Sequence, residues 1–340
     1  MEAKRERWID LIKVTACLLV VLGHVLRGLI SAGIFPEDGV ARSLVEVVYY
    51  FHVNLFFFCS GWLFMKRHEP GIKGYFSNMG KKLIDLVVPY AVFLSAGYIL
   101  KLLFPSSVNN AVKYSFFETL FLRPDAPYWY LYALFFIFLI TPPVKNRRSS
   151  LYIFLVSALA KVIYVIFLTD ANLPYFLKCI MENWIWFASG MVVCSYSLTS
   201  LLSKRSFAVP VVTLGGLFIP LSLLIQIYSV SFPFMETLMG FLGCILVISL
   251  SYIICSRRSM KFTGICVQYT LPVFLMHTLS APAVRAVLIK LSVTNGAVHF
   301  ILGMLSGIFI PVLVAYIMKL LVIPEIVLYP RRTVKKLKAR

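Results

Sequence analysis

Long apolar runs, separated by short polar connections, dominate the chain. A helix needs about 20 mostly apolar residues to cross a hydrocarbon core roughly 30 Å thick. Prolines stand at several boundaries of these runs, such as Pro124, Pro142 and Pro174, where helices should begin or end. The pattern predicts an all-α integral membrane protein, a bundle of about ten transmembrane helices. The predicted spans are residues 8–30, 42–65, 83–104, 127–144, 150–169, 176–197, 207–228, 234–255, 268–291 and 297–321.

Most Lys and Arg residues lie in alternate connections between these runs. If the N-terminus is inside, the inner segments hold 22 of them and the outer connections hold three, Arg42, Lys113 and Arg123. Because cytoplasmic loops carry an excess of Lys and Arg, this asymmetry predicts that both termini are cytoplasmic. It also requires an even number of crossings, since one missed helix would invert every later connection. The predicted location is the cell membrane, with a multi-pass topology.

The composition favours a membrane protein and excludes a water-soluble fold. Charged residues make up only 14% of the chain, whereas soluble domains carry about 25%. A net charge of +19 would suggest a nucleic-acid partner in a soluble protein, but here it reflects the basic connections, and we expect no nucleic acid. Residues 1–330 are expected to form one membrane-embedded domain, which begins with a retained first span and is followed by a basic cytoplasmic tail at 331–340.

The small residues within the runs are expected to serve packing. The seven cysteines are odd in number and lack the spacing of metal sites, so we expect small buried hydrophobes rather than a disulfide framework. No metal site is predicted. Gly303 and Gly307 form a GxxxG pair in the last run, which is typical of closely packed membrane helices.

The first apolar run, RWIDLIKVTACLLVVLGHVLRG, contains four groups that lipid penalises: Asp10, Lys13, His24 and Arg27. A charge at the bilayer centre costs about 2.5 to 3.5 kcal/mol, so such residues usually face a protein interior or a wet cavity. At 100° per residue, Asp10, Lys13 and His24 share one helix face, and His24 stands about 16 Å above Lys13. Histidine accepts and returns protons near neutral pH. The face predicts a base at His24; the alternative is a structural histidine that hydrogen-bonds across helices.

Two more histidines lie near the predicted membrane midplane, His52 in the second run and His277 in the ninth. Each is expected either to bridge helices or to take part in the site. Ser60 and Gly61 indicate a packing notch or kink rather than a nucleophile, because no Gly-x-Ser-x-Gly turn surrounds the serine.

Several charged residues lie in the last third of their predicted spans, near the outer surface. Ionised groups around a wet vestibule suit a polyhydroxylated acceptor such as a sugar, whereas mutual salt bridges are the alternative. Trp129, in the segment RPDAPYWYL, either contacts the substrate or belongs to the aromatic belt of the membrane interface. The substrate-binding candidates are Arg27, Glu46, His52, Trp129, Glu182 and Arg285, and Glu236 lies at the same level.

On the inner side, the segment KKLIDLVVPY brings Lys81 and Lys82 to the cytoplasmic mouth of the predicted bundle. The excess of basic residues inside is enough to explain these lysines. Capture of phosphate groups by the same charges is the functional alternative.

These segments together resemble the integral-membrane acyltransferase family commonly called acyltransferase-3. The similarity extends over nearly the whole chain, in the order and spacing of its blocks. The blocks are RWIDLIKVTACLLVVLGH, FHVNLFFFCSGWLF, KKLIDLVVPY, PYWYLYALFFIFLITPPV and TLPVFLMHTLSAP.

The resemblance implies a roughly ten-helix domain that takes an acyl group, usually acetyl, from coenzyme A at the cytoplasmic side. The group passes to a hydroxyl presented at or beyond the outer leaflet. The essential histidine of the family carries over to His24 and its acidic residue to Asp10. Lys13 stands where the family usually has arginine, and lysine keeps the charge but loses the bidentate fork. Acetyl-coenzyme A is then a donor co-substrate, and no cofactor is bound permanently.

We therefore predict a membrane O-acyltransferase that acts on a surface glycan or related acceptor, with His24, Asp10 and Lys13 as the catalytic group. His24 acts as a general base or, alternatively, as a nucleophile that forms a transient acyl-histidine. The rival prediction is a transporter or flippase for a lipid-linked sugar or small anion. The partners are the acyl-coenzyme A, the acceptor and the bilayer, and oligomerisation is left open. The coenzyme-binding candidates are Lys81, Lys82, Ser60 and His277.

Overall fold

The fold is known from a computed structural model of the 340-residue chain. Within the part that it describes, the secondary structure consists of helices and their connections, without a strand. The basic residues Lys4, Arg5, Lys145, Lys261 and Arg340, which contribute to the predicted topology, lie outside the described residues. The structure describes residues 6–67, 72–105, 112–144, 146–258, 260, 262–321 and 324–338.

Sixteen α-helices follow one another along the described residues, together with short 3₁₀ segments and a π-helical turn at Tyr164–Leu168. In chain order they are α1 (Arg7–Ser31), α2 (Val40–Tyr49), α3 (His52–Arg67), α4 (Ile72–Leu103), α5 (Phe116–Phe121), α6 (Trp129–Ile140), α7 (Arg147–Ile163), α8 (Tyr175–Ser195), α9 (Arg205–Gly216), α10 (Phe218–Tyr228), α11 (Met235–Arg257), α12 (Thr263–Cys266), α13 (Thr270–Lys290), α14 (Gly296–Leu321), α15 (Glu325–Leu328) and α16 (Pro330–Lys338).

Eight helical segments in the described residues are long and apolar enough to cross a membrane. The two remaining predicted spans are also helical, but α6 has only 12 residues, and α8 carries polar residues such as Lys178 and Asn183. The count of ten crossings and the cytoplasmic termini therefore stay predictions. The eight segments are Arg7–Ser31, Val40–Lys66, Gly74–Leu103, Arg147–Leu168, Arg205–Tyr228, Met235–Arg257, Thr263–Lys290 and Gly296–Leu321.

Large apolar side chains are exposed on the outside of these helices. Phe167 is 73% exposed, Ile227 71% and Phe309 62%. Water would penalise such surfaces, whereas lipid tails are as apolar as the side chains themselves. The exposed side chains agree with a multi-pass membrane protein.

The chain divides into two compact units, and helix α1 contributes residues to both. The first unit contains α3 and the helices from α7 to α12, whereas the second contains α5, α6 and the helices from α13 to α16, with most of α4. The first unit comprises Met1–Ala16, Glu46–Tyr75 and Ile140–Gln268, and the second Cys17–Val45, Phe76–Leu139 and Tyr269–Arg340.

In the first unit, α3 packs closely against α8. A Cβ atom at Gly61 would overlap the backbone carbonyl of Phe187, and a Cβ atom at Gly190 would overlap that of Phe58. Two helix backbones in contact leave room only for glycine, which is a common device of membrane helices. The prediction that Gly61 marks a packing notch is confirmed. Helices α7 and α8 also pack together, as do α9 and α11.

In the second unit, α13 packs against α14, and α14 also contacts α1. A Cβ atom at Gly303 would come within 3.0 Å of Val25, and one at Gly307 within 2.9 Å of Val21. The two glycines of the GxxxG pair therefore face successive turns of α1. The prediction of close helix packing at this pair is confirmed.

The end of the described chain is a basic helix, α16, that packs within the second unit. Arg331 donates to Asp85 on α4 at 2.9 Å, and Lys336 donates to Glu325 at 2.6 Å. Glu325 is only 2% exposed, and Thr333 is fully buried. Of the tail predicted at residues 331–340, the first eight residues thus lie in a packed helix, and 339–340 lie outside the described residues.

Candidate functional site

Two histidines meet where α1 and α13 pack together in the second unit. The ring centroids of His24 and His277 are 5.0 Å apart, with their planes inclined at 61°. Two helical turns earlier on both helices, the Cys17 thiol contacts the backbone carbonyl of Thr270 at 3.5 Å. Both contacts have the same offset in sequence, seven residues apart on each helix. The two helices therefore run parallel and in register, and we call their line of contact the α1–α13 seam.

His277 is held in one defined state within this seam. Its side chain is 1% exposed, and its Nδ1 lies 2.9 Å from the carbonyl oxygen of Val273. Because a carbonyl only accepts, Nδ1 carries the proton, and in the neutral ring Nε2 carries the lone pair. No described residue hydrogen-bonds to Nε2. The seam thus contains a buried imidazole nitrogen that can accept a hydrogen bond.

His24 is half-buried, and its ring lies against α13 rather than away from the protein. Helix α14 closes the back of the seam, because a Cβ atom at Gly307 would contact the Cβ of His277 at 3.8 Å. The ring of Phe274 lies 6.3 Å from that of His277. One histidine is therefore accessible in part, whereas its neighbour is enclosed by α13 and α14.

A buried guanidinium lies further along the same seam. Arg285 is 9% exposed, and a Cβ atom at Gly28 would overlap its Nη1. Gly28 is one turn beyond His24 on α1, so the glycine leaves the space that the guanidinium occupies. Arg27, in contrast, is exposed on α1. The structure thus places only one of the two predicted outer arginines in the seam.

Asp10 and Lys13 lie in the first unit, near the beginning of α1, and both are half-buried. Helix α1 continues without a break from Arg7 to Ser31, so the predicted rise of about 16 Å from Lys13 to His24 applies. The structure confirms the continuous helix on which the shared face depends. The catalytic roles of Asp10 and Lys13 stay predictions.

Lys81 and Lys82 lie on α4 in the second unit, and both are half-buried. The Lys82 ammonium stands 4.5 Å from the ring centroid of Phe138 on α6, a cation–π contact. Asp85, one turn after Lys81 on the same helix face, binds Arg331 of α16. The basic helix therefore contacts α4 next to the two lysines, an arrangement that no local sequence pattern announces.

A cavity of about 610 Å³ lies within the first unit. Its walls include the predicted acceptor residues Glu46 and Glu182, and also Glu236. His52 is beside it, with its ring 4.8 Å from that of Tyr49, which lines the cavity, and its Nδ1 2.7 Å from the Val48 carbonyl. Three of the five charged residues expected at the outer level are thus brought together. Further lining residues that sequence reasoning missed are Tyr49, Tyr50, Asn54, Lys161, Asn183, Trp186 and Gln226.

Charged and hydroxyl groups interact around this cavity. The Lys161 ammonium interacts with the carboxylates of Glu182 and Glu236. The charge of Glu182 also acts on the phenol of Tyr164. The charged groups line an open space, and both the acceptor role and the salt-bridge alternative stay predictions.

The remaining candidates lie apart from these groups. Ser60 is half-buried on α3, next to the glycine notch in the first unit, and Trp129 is the half-buried first residue of α6 in the second. All seven cysteines are free. Within the described residues, no group of three or more His, Cys, Asp or Glu side chains is placed to hold a metal ion.

Comparison with known proteins gives one match. A family model described as an acyltransferase domain matches residues 6–318, which is nearly the whole chain. The match begins at the start of α1 and ends within α14, so it includes both histidines of the seam and the carboxylates of the cavity. No curated protein and no solved structure shows a significant match.

Proposed function

Because the chain belongs to the acyltransferase-3 family, we propose that it is an O-acyltransferase of the cell membrane. It moves an acyl group, acetyl in this proposal, from cytoplasmic acyl-coenzyme A to a hydroxyl of a surface glycan or a related extracytoplasmic acceptor. Acetyl-coenzyme A is a co-substrate rather than a bound cofactor. His24 is the general base.

The observation that supports this proposal is the pair of His24 and His277. Two imidazoles whose centroids are 5.0 Å apart disfavour a double positive charge, so at most one of them is protonated at a time. In this proposal His277 is neutral, with its proton on Nδ1 donated in a hydrogen bond to the Val273 carbonyl, and its Nε2 can accept a hydrogen bond from His24. The other nitrogen of His24 then takes the proton of the substrate in this proposal. His277 is therefore a positioning residue in this proposal.

The reaction begins when His24 removes the proton from the acceptor hydroxyl. The oxygen attacks the thioester carbonyl, and the C–S bond breaks as the tetrahedral intermediate collapses. The coenzyme leaves as a thiolate, which takes the proton back from His24, so the histidine ends the cycle neutral. Exclusion of bulk water from a packed helix seam protects the thioester from hydrolysis.

Arg285 supplies a fixed positive charge to the same seam. The guanidinium lies beside Gly28, one turn from His24, and is nearly enclosed by protein. We assign it to the negative charge that develops on the thioester oxygen, because a preorganised cation in a dry site stabilises such a charge strongly. This role replaces a purely acceptor-binding role for Arg285.

The basic residues of α4 and α16 are the proposed phosphate site for the coenzyme. Lys81 and Lys82 lie one turn or less from the contact of Asp85 with Arg331. Neighbouring basic side chains on two helices suit a ligand with several phosphate groups. Ser60 as a coenzyme contact, and Arg27, His52 and Trp129 as acceptor contacts, remain proposals of the same kind, whereas His277, predicted from the sequence as a coenzyme contact, is assigned to the positioning of His24.

The deciding experiment measures transfer of radiolabelled acetyl from acetyl-coenzyme A to a candidate glycan by the purified chain in detergent. His24→Ala should abolish transfer, and His277→Ala should lower kcat by about 10²-fold, the lower end of the range for acid–base catalysis. The KM for acetyl-coenzyme A should stay unchanged in His277→Ala, because this residue acts on the base. A trapped acetyl group on His24, found by mass spectrometry, would instead identify the covalent route.

His299 provides the matched control. It is also 1% exposed, with Nε2 2.8 Å from the Val293 carbonyl and Nδ1 without a hydrogen-bond partner among the described residues. His299→Ala should keep full kcat. Undiminished transfer in a folded His24→Ala variant would remove the proposed base. Uptake of a glycan precursor into sealed vesicles without acylation would favour the rival transport function.

A further inference from the structure

The cavity of the first unit carries an excess of negative charge. Its carboxylates come from three separate helices, Glu46 from α2, Glu182 from α8 and Glu236 from α11. Lys161 is the one cation among the lining residues. Of the three carboxylates, Glu182 and Glu236 share the single positive charge of Lys161, which leaves one negative charge in excess. Charges next to membrane helices are costly when they are not compensated, so a positive ligand group is favoured here.

The walls also carry side-chain amides, and one of them, Asn183, has an oxygen to which no described residue donates. Asn183 is only 7% exposed; its Nδ2 donates to the Cys179 carbonyl at 2.9 Å, and no described residue donates to its Oδ1. Gln226 lines the same space, as does Asn54, whose Nδ2 donates to the Tyr50 carbonyl at 2.9 Å. An amide oxygen that faces a cavity and has no donor in the protein can accept a hydrogen bond from a ligand or from water. Hydroxyl and ammonium groups both supply such donors.

An aromatic surface lies next to these polar groups. Trp186 is 4% exposed, and its ring packs 4.4 Å from that of Phe241, which fixes the indole at the wall. Rigid indole faces bind the apolar faces of ring-shaped ligands and also attract cations. The combination of carboxylates, amides and an indole therefore fits an organic ring with several hydroxyl groups.

The backbone is interrupted at the same place. Helix α2 ends at Tyr49 and α3 begins at His52, so the chain is not helical where Tyr50 lines the cavity. Irregular backbone at membrane depth is tolerated where it is buried in protein or lines a wet cavity. The three carboxylates do not form a metal site, because the described residues contain no group of three or more His, Cys, Asp or Glu side chains that could hold a metal ion. They surround a space that suits an extended ligand.

We propose that this cavity binds a hydroxyl-rich ligand with a protonated amine, such as an amino sugar whose amine is free. The ammonium compensates the charge that Glu182 and Glu236 leave in excess beside Lys161, and a hydroxyl group pairs with the Asn183 amide oxygen. Acidic sugars are disfavoured by the same charges. The identification of this ligand as the acyl acceptor rests on the function proposed above, whereas the binding site itself does not.

The test compares the binding of three sugars to the full chain in detergent, by isothermal titration calorimetry. Glucosamine should bind at least tenfold more tightly than N-acetylglucosamine, which has the same ring without the charge, and glucuronate should bind most weakly. Glu182→Gln should lower the affinity for glucosamine about tenfold and leave the affinity for N-acetylglucosamine unchanged. Glu37→Gln, which removes an exposed carboxylate in the second unit, should change neither.

Misfolding would weaken the binding of glucosamine, so a variant that is expected to strengthen it gives a sharper test. Lys161→Met is such a variant. Removal of the single lining cation should strengthen glucosamine binding several-fold, because one more negative charge is left uncompensated. Equal affinity for the three sugars, tighter binding of glucuronate, or no binding at all would overturn the proposal. A weaker glucosamine complex in Lys161→Met would also overturn it.

His24→Ala separates the two proposals. This variant should still bind glucosamine with the affinity of the wild type, because His24 belongs to the seam in the other unit. If binding is retained while the wild type does not acetylate amine-bearing glycans, the site stands and its ligand is not the acceptor. If transfer to these glycans occurs without glucosamine selectivity, acyl transfer stands and the proposed site is wrong.

Discussion

The α1–α13 seam and the cavity of the first unit differ in how closely their side chains are packed. In the seam, Gly28 leaves room for the Arg285 guanidinium, and Gly307 lets α14 approach His277 beside the pair of imidazoles. In the cavity, carboxylates and amides border an open volume of about 610 Å³. A catalytic step is faster when the reacting side chains are held in place and shielded from water. Binding of a hydrated ligand instead requires an open volume with side chains that can form hydrogen bonds to it. Changes in the seam should therefore affect kcat, and changes in the cavity should affect KM for the acceptor.

The largest effect is expected from the two histidines of the seam taken together. The double variant His24→Ala/His277→Ala should lose no more activity than His24→Ala alone, since a positioning residue has nothing left to orient. Single-turnover transfer of labelled acetyl measures this. A double variant that loses a further factor equal to the His277→Ala effect would show that the two residues act independently.

A smaller effect is expected at the glycine that accommodates the guanidinium. Gly28→Ala should displace Arg285, because the new Cβ overlaps its Nη1, and should lower kcat about tenfold. The melting temperature should change little, because the end of a flexible side chain can move. Steady-state kinetics and a thermal melt in detergent measure the two quantities. A large loss of melting temperature with normal kcat would show that Arg285 is structural.

The matched glycine in the cavity is Gly240. A Cβ atom there would come within 2.8 Å of Asn54 and Trp186 and within 2.9 Å of the Tyr50 carbonyl, so Gly240→Ala narrows the space. We expect KM for the acceptor to rise about three- to fivefold with kcat retained, together with a lower melting temperature from the shifted backbone. The measurement is an acceptor titration at saturating acetyl-coenzyme A. An unchanged KM would separate the cavity from acceptor binding.

The smallest effect is expected at Lys13. Lys13→Arg should retain activity because it keeps the charge, whereas Lys13→Ala should raise KM for acetyl-coenzyme A or lower turnover a few-fold. Initial rates over a range of acetyl-coenzyme A concentrations distinguish the two. Equal activity of both variants would show that the charge is not used.

Much of the fold follows from local patterns in the sequence. Apolar runs of about 20 residues are sufficient to predict helices such as α1, α11 and α14, because in lipid the backbone must satisfy its hydrogen bonds within the segment. The GxxxG pair at Gly303 and Gly307 likewise announces a close helix contact. Its partner, the face of α1 with Val21 and Val25, is a tertiary fact that no local pattern contains.

The candidate sites are predictable only in part, for the same reason. His24 and His277 each draw attention as histidines in apolar runs, but their meeting depends on which helices are neighbours and on their register. Glu46, Glu182 and Glu236 are visible as membrane carboxylates, and their common level follows from counting crossings. Lys161 and Asn183 escape prediction because they become important only through the carboxylates and the cavity beside them.

The equal sequence offset of the contacts from Cys17 to Thr270 and from His24 to His277 makes the catalytic pair sensitive to sliding. If α13 slipped by one helical turn, about 5.4 Å, Val273 or Ala281 would lie opposite His24 in place of His277. An apolar side chain would then replace the imidazole. A shift of α13 along its axis by that distance would therefore separate the two imidazoles without unfolding either helix.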